Sequence, residues 1–140
     1  PERLKVSIGY GDGFLGEGQI SYGGPGAVAR GRLALDIVSA RLKALGDDVV
    51  DLRLDLIGVN GLSGAGVAQG HEPTEVRARV AARTRTREAA FAIGREVDAL
   101  YTNGPAGGGG VHQSVQPILA IASSFIDRRR VRTDVRMEVS

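Results

Sequence analysis

Glycine placement constrains this sequence more than any other feature. It is concentrated in two runs: Gly9-Tyr10-Gly11-Asp12-Gly13-Phe14-Leu15-Gly16-Glu17-Gly18, leading on to Gly23-Gly24-Pro25-Gly26, and later Asn103-Gly104-Pro105-Ala106-Gly107-Gly108-Gly109-Gly110. Glycine reaches backbone conformations closed to other residues, and it weakens any helix or strand that contains it. The runs are therefore expected to be loops, with the regular elements lying between them. At 21 glycines in 140 residues without a G-X-Y period, the enrichment is that of loops on a globular scaffold and not of collagen.

Between the runs, two periodicities alternate. Leu4, Val6, Ile8 and Tyr10 repeat every second residue, as in a strand with two different faces. Val28, Gly31, Leu35, Val38, Leu42 and Leu45 recur at spacings of three and four, which predicts an amphipathic helix stopped by Gly46. Gly31 on that stripe costs about 1 kcal/mol of helix propensity relative to alanine, so close contact with a strand is its expected compensation. Leu52, Leu54 and Leu56 form a second strand, and Val76, Ala78, Val80 and Ala82 a third with Arg77, Arg79 and Arg83 on its other side. A second helix is predicted over 87–101, with Thr86 as N-cap and Ala90, Ile93, Val97 and Leu100 on one stripe. The stretch 118–126, apolar on both faces, predicts a central strand, and 131–139 a last alternating one.

The order β-α-β-β-α-β plus a final strand predicts a single α+β domain over residues 1–140. Its plan is expected to be a ferredoxin-like split βαβ, with two helices on one face of a mostly antiparallel sheet. An open α/β layer of a larger sheet is the other plan the order allows.

Composition narrows the chemistry. The absence of cysteine removes disulfides, thiol nucleophiles and zinc-thiolate sites, and fits a cytoplasmic protein. His71 and His112 stand in different loops without metal-ligand spacing, so no metal is expected. Eighteen Lys and Arg residues nearly balance sixteen Asp and Glu, leaving +2, too small an excess to indicate nucleic acid or membrane as partner. No nucleophilic triad and no redox-cofactor fingerprint is present.

The glycine runs hold the candidate site. The first places Glu17, Asp12 and Tyr22, the acid–base candidates, beside Gln19 and Ser21. The backbone amides of Gly11, Gly13, Gly16, Gly24 and Gly26 are available for substrate binding. A helix opening after Gly24-Pro25-Gly26 would favour an anion through its free N–H groups and dipole. Glu17 is the first choice for the acid or base, on the expectation that burial raises its pKa toward neutrality. The same residues fit a strained turn in which Glu17 only caps backbone amides. The second run offers an anion nest of Gly107, Gly108, Gly109 and Gly110 with Asn103 and His112 beside it, or else a flexible helix-to-strand connection. If both runs bind, they are expected to line one pocket, most simply across a subunit interface. The arginine-rich face of the second and third strands reads as a solvated surface or a docking face.

The run from Gly9 to Gly26 and the run from Tyr101 to Gly110 resemble characteristic segments of the acyclic terpene utilisation (AtuA) family, as do Asp55-Leu56-Ile57-Gly58-Val59 and Val80-Ala81-Ala82-Arg83-Thr84 between them. The resemblance spans nearly the whole chain and corresponds to the C-terminal portion of the family's large conserved region. It implies a part in the catabolism of acyclic terpenes or related branched acids, in a pathway that proceeds through CoA thioesters. The implied substrate is a small acyl-CoA or carboxylic acid, handled by acid–base chemistry of the hydratase, dehydratase or lyase type. CoA would enter as part of the substrate, with no intrinsic cofactor. The implied partner is the remaining part of an AtuA-type protein, or a second copy of the chain. The alternative function is a non-catalytic assembly or regulatory module of a larger complex.

Overall fold

The structure is a computed structural model that describes residues 1–62, 64 and 72–137. It contains strands β1 (Arg3–Gly23), β2 (Val49–Ile57), β3 (Glu75–Thr84) and β4 (Gly108–Asp127), helices α1 (Ala27–Leu42) and α2 (Arg87–Asp98), and a short helical turn α3 (Leu100–Asn103). The chain divides into two compact units, one of residues 13–118 and one that joins residues 1–12 to those from Leu119 onward.

The larger unit is an α+β layer. Its strands belong to a four-stranded antiparallel sheet in the order β2-β3-β1-β4, and α1 and α2 pack on β3 and on each other. The period of two decides which side chains meet the helices. Ile20 and Tyr22 of β1, Val76, Ala78, Val80 and Ala82 of β3, and Leu56 of β2 are buried with Val38, Leu42, Ile93 and Val97 of the helices. Full burial of a large aliphatic side chain contributes about 1.5–3 kcal/mol, so this one-sided layer is the main source of stability. Gly31 lies on α1 where a Cβ would come within 2.6 Å of Leu56 Cδ1, which is the close helix-to-strand contact its place on the stripe predicts. Thr86 caps α2, its hydroxyl accepting from Ala89 N at 3.2 Å. Beyond Leu42 the chain runs on into a 3-10 stretch over Lys43–Asp48, which Gly46 breaks from within at φ 54.

Three expectations are corrected. The first glycine run is not a loop, because β1 continues through it to Gly23. Pairing with β3 from Phe14 to Gly23 supplies the ladder hydrogen bonds, and the glycines on its covered side face a helix that needs the room. The apolar stretch 118–126 is not in a central strand, because β4 lies at the edge of the sheet, where Leu119 and Ile121 stay 74% and 72% exposed. The final strand is absent from residues 131–137, and 138 and 139 lie outside the described residues. Alternation gives a segment two faces but no partner for its backbone, and Val135 and Met137 are almost fully exposed.

The smaller unit is a two-stranded ribbon made from the start of β1 and the end of β4. Arg128 N donates to Glu2 O at 2.9 Å, and the Arg3 guanidinium lies 5.4 Å from the centroid of the Phe125 ring. Val6, Ile8, Tyr10, Leu119, Ile121 and Phe125 are all exposed on it. Asp127 accepts from the backbone N–H and guanidinium of Arg129, so the Arg128-Arg129-Arg130 run is a capped turn. No helix among the described residues is long and apolar enough to cross a membrane.

Candidate functional site

The polar chemistry of the larger unit gathers on the sheet face opposite the helices. Glu17, Gln19 and Ser21 project there from β1, Arg77 and Arg79 from β3, and Arg53 and Asp55 from β2. Arg79 is the hub. It donates to Glu17 Oε2 at 2.5 Å and to Asp55 Oδ2 at 3.0 Å, and Arg53 Nε adds bonds to both Asp55 oxygens at 2.9 and 3.0 Å. Gln19 donates to Glu17 and accepts from Arg77 Nε, while Arg77 Nη1 donates to Ser21 Oγ at 2.9 Å. The side chains of Glu17, Asp55 and Arg79 retain only 15%, 9% and 27% of their exposure.

The network sets the charge on Glu17. Burial alone pushes its carboxyl up, but the hydrogen bonds from Arg79 and Gln19, with the charges of Arg79 and His112, outweigh burial and bring it below its ordinary value of 4.5. The expected rise toward neutrality is therefore corrected. Glu17 is a carboxylate at neutral pH, suited to accept a proton or hold a cation and not to act as an acid.

The structure separates some of the other candidates. Tyr22 points to the helix side of β1, opposite Glu17, and is fully buried. Its hydroxyl has no hydrogen-bond partner among the described residues, and burial raises its pKa. Because that hydroxyl makes no bond to lose, Tyr22→Phe is expected to change stability by less than about 1 kcal/mol in either direction. A loss above about 2 kcal/mol in urea unfolding would show that the phenol has a partner. Asp12 and Gly11 belong to the smaller unit.

Several glycines are explained by packing. Gly13 sits at φ 85 with its missing Cβ against the Thr84 backbone, and Gly16 faces the Ala90 backbone in α2. Gly108 faces Ile20 and Tyr22, whereas a Cβ on Gly109 would meet nothing within 4 Å. Val111 also packs on the core, so the alternation of β4 is interrupted between 108 and 111, at Gly110 with φ 62. Beyond that interruption His112 is exposed, with its charge acting on Glu17. Asn103 is exposed at the end of α3.

The two glycine runs do meet, within one chain and at one end of the larger unit. Arg30, in the first turn of α1, donates to Gly23 O at 2.6 Å, to Pro25 O at 3.1 Å and to Ala106 O at 2.8 Å. Gly24, Gly26 and Gly107 take positive φ values of 78, 73 and 76 to turn the backbone around this guanidinium. The corner therefore needs no second subunit to form. Its carbonyls converge on a cation supplied by the protein, which is the reverse of an anion nest.

The motifs of the sequence point to no role for Arg30, and its patterning presents Arg77, Arg79 and Asp55 only as part of a solvated surface or a docking face. The signal for Arg30 was present, since a cation in the first turn of a helix opposes the dipole unless carbonyls hold it. For Arg77 and Arg79 the signal lay in the pairing of β3 with β1, which periodicity alone does not give.

A model of the family described as acyclic terpene utilisation family protein AtuA matches residues 1–137. No curated protein and no solved structure matches the chain.

Proposed function

Starting from a chain that belongs to the acyclic terpene utilisation family AtuA, we propose that it serves in the breakdown of acyclic terpenes or related branched acids as a substrate-handling part of an AtuA-type protein. The proposed substrate is a branched carboxylic acid or its acyl-CoA thioester, and the proposed chemistry is proton transfer of the hydratase, dehydratase or lyase type. CoA is then part of the substrate and not a resident cofactor. The setting is the cytoplasm, in company with the remaining part of such a protein or a second copy of the chain.

The observation that carries this reading is the ionised Glu17, held by Arg79 and Gln19 on the polar sheet face with His112 close enough to act on its charge. A carboxylate fixed in this way can accept a proton from a substrate carbon or water, and a nearby imidazole can return one. The layout of the larger unit supports the ferredoxin-like plan. Each half contributes a β-α-β sequence, and the order β2-β3-β1-β4 sets β1 and β3 side by side at the centre, so that Glu17 and its arginine partner lie on adjacent strands.

Glu17→Gln keeps the size and removes the charge. With a branched acyl-CoA as substrate, turnover is expected to fall about 100-fold or more while the circular dichroism spectrum is unchanged. Turnover equal to the parent's would reduce Glu17 to a structural residue.

The assembly reading draws on the smaller unit. A two-stranded ribbon is marginal in water, and this one exposes Val6, Ile8, Tyr10, Leu119, Ile121 and Phe125. That favours association, and sedimentation of the protein as a monomer, alone and with its companion, would count against it.

A further inference from the structure

Two rungs on the polar sheet face share one geometry and differ in charge. In the first, Arg79 pairs in register with Asp55 on β2 and reaches diagonally across to Glu17 on β1. In the second, two residues along β3, Arg77 is in register with Ile57 on β2 and Ser21 on β1, and reaches diagonally to Gln19. Where Arg79 meets two carboxylates, Arg77 meets an alkyl group, an amide and a hydroxyl. Among the described residues no carboxylate pairs with Arg77, and its bonds there engage Nε and Nη1 only.

Arg77 is half-buried, and a charge taken partly from water without a counterion is costly. Gln19 and Ser21 orient the guanidinium without neutralising it. On the β4 side stands Gly110, which brings no side chain of its own against the guanidinium; a Cβ there would lie 3.7 Å from Arg77 Nη1. We infer that Arg77 is the receptor for an anionic group of the ligand, a carboxylate or a phosphate, bound through the Nη edge with Ser21 and the Gly110 backbone beside it. Guanidinium is suited to such groups because its N–H donors match their oxygen pairs. The inference deepens the reading given above and rests on it for the kind of ligand. An acid group or the phosphates of CoA would each satisfy the same receptor.

The test is arginine side-chain NMR of the whole chain, titrated separately with a free branched-chain carboxylate, with CoA and with inorganic phosphate. Saturable shifts of the Arg77 resonances are expected with at least one probe, together with binding that weakens at least about 10-fold in Arg77→Gln and is partly kept in Arg77→Lys. Response to the carboxylate alone assigns the site to the acid group. Response to CoA and phosphate but not to the carboxylate assigns it to the CoA moiety. Absence of saturable binding in the folded parent chain, binding that leaves the Arg77 resonances unmoved, or equal binding in a folded Arg77→Gln would overturn the inference. The parent-chain titration decides the matter even if that variant does not fold. Binding through Arg77 without any turnover would leave this subsite standing and remove the acid–base reading.

Discussion

Gly16→Ala is expected to cost the fold about 3 kcal/mol, the upper part of the usual range for overpacking. The added Cβ would lie 2.7 Å from Ala90 Cα and 2.9 Å from Ala90 C, and closer still to Ala90 O, so the clash is with helix backbone and no rotamer change relieves it. Either α2 lifts from the sheet or β1 bends away from β3, and both expose part of the layer that includes Ile93 and Val97. The variant should unfold at much lower urea, with faster amide exchange in α2. Gly23→Ala is the control. It has negative φ and nothing within 4 Å of its Cβ position, so it should stay within about 0.5 kcal/mol of the parent. Equal stability of the two variants would mean that α2 does not dock on Gly16.

Arg79→Met should be comparably damaging, for an electrostatic reason. Removing the hub leaves Glu17 and Asp55 facing each other's network with most of their exposure already lost. Breaking a buried ion pair costs about 3–5 kcal/mol; because Arg79 keeps roughly a quarter of its exposure, about 3 kcal/mol is expected at pH 7. The pH dependence distinguishes this cost from lost packing. In the parent, Glu17 titrates below 4.5 when folded, so its stabilisation is complete above that pH and disappears as the pH falls through the lower folded value. In the variant burial is opposed only by the Gln19 hydrogen bond and the His112 charge, so the Glu17 pKa lies above its value in the parent. The deficit relative to the parent should therefore shrink as the pH is lowered from 7 toward 3. A deficit independent of pH would assign the loss to packing.

The β2 and β3 strands, the α2 cap at Thr86 and the contact of Gly31 were legible in the sequence because each depends on a local pattern: period two, one capping hydroxyl, one small residue on an apolar stripe. The glycine-studded part of β1 was not. Glycine lowers strand propensity, and what restores the strand is a partner, β3, whose register from Phe14↔Thr84 to Gly23↔Glu75 is a long-range fact. The same gap hid the site. Glu17, Gln19 and Ser21 share one segment, yet the groups that give them their chemistry, Arg77, Arg79 and Asp55, come from strands more than thirty residues away in the chain. Tyr22 is near Glu17 in sequence, but five residues along a strand is an odd step and reverses the face. At the other end, 131–137 shows a strand pattern that lacks a neighbour, so alternation there predicts more than forms.

Strand β1 is read on both of its faces at once. Its even positions from Gly16 to Tyr22 set how closely α2 lies and what fills the core, while its odd positions from Glu17 to Ser21 set which arginine is neutralised and which is left available. The segment therefore has a fixed length as well as a fixed composition. Inserting one residue between Gly16 and Gly18 would send every later side chain to the wrong face, placing Gln19 and Ser21 against the helices and Ile20 and Tyr22 in water. Inserting two would keep the faces but shift the carboxylate by one rung, bringing Glu17 or a new residue opposite different arginines. Of the two errors the second is the subtler, because such a chain could still fold and would differ chiefly in where its surplus positive charge stands.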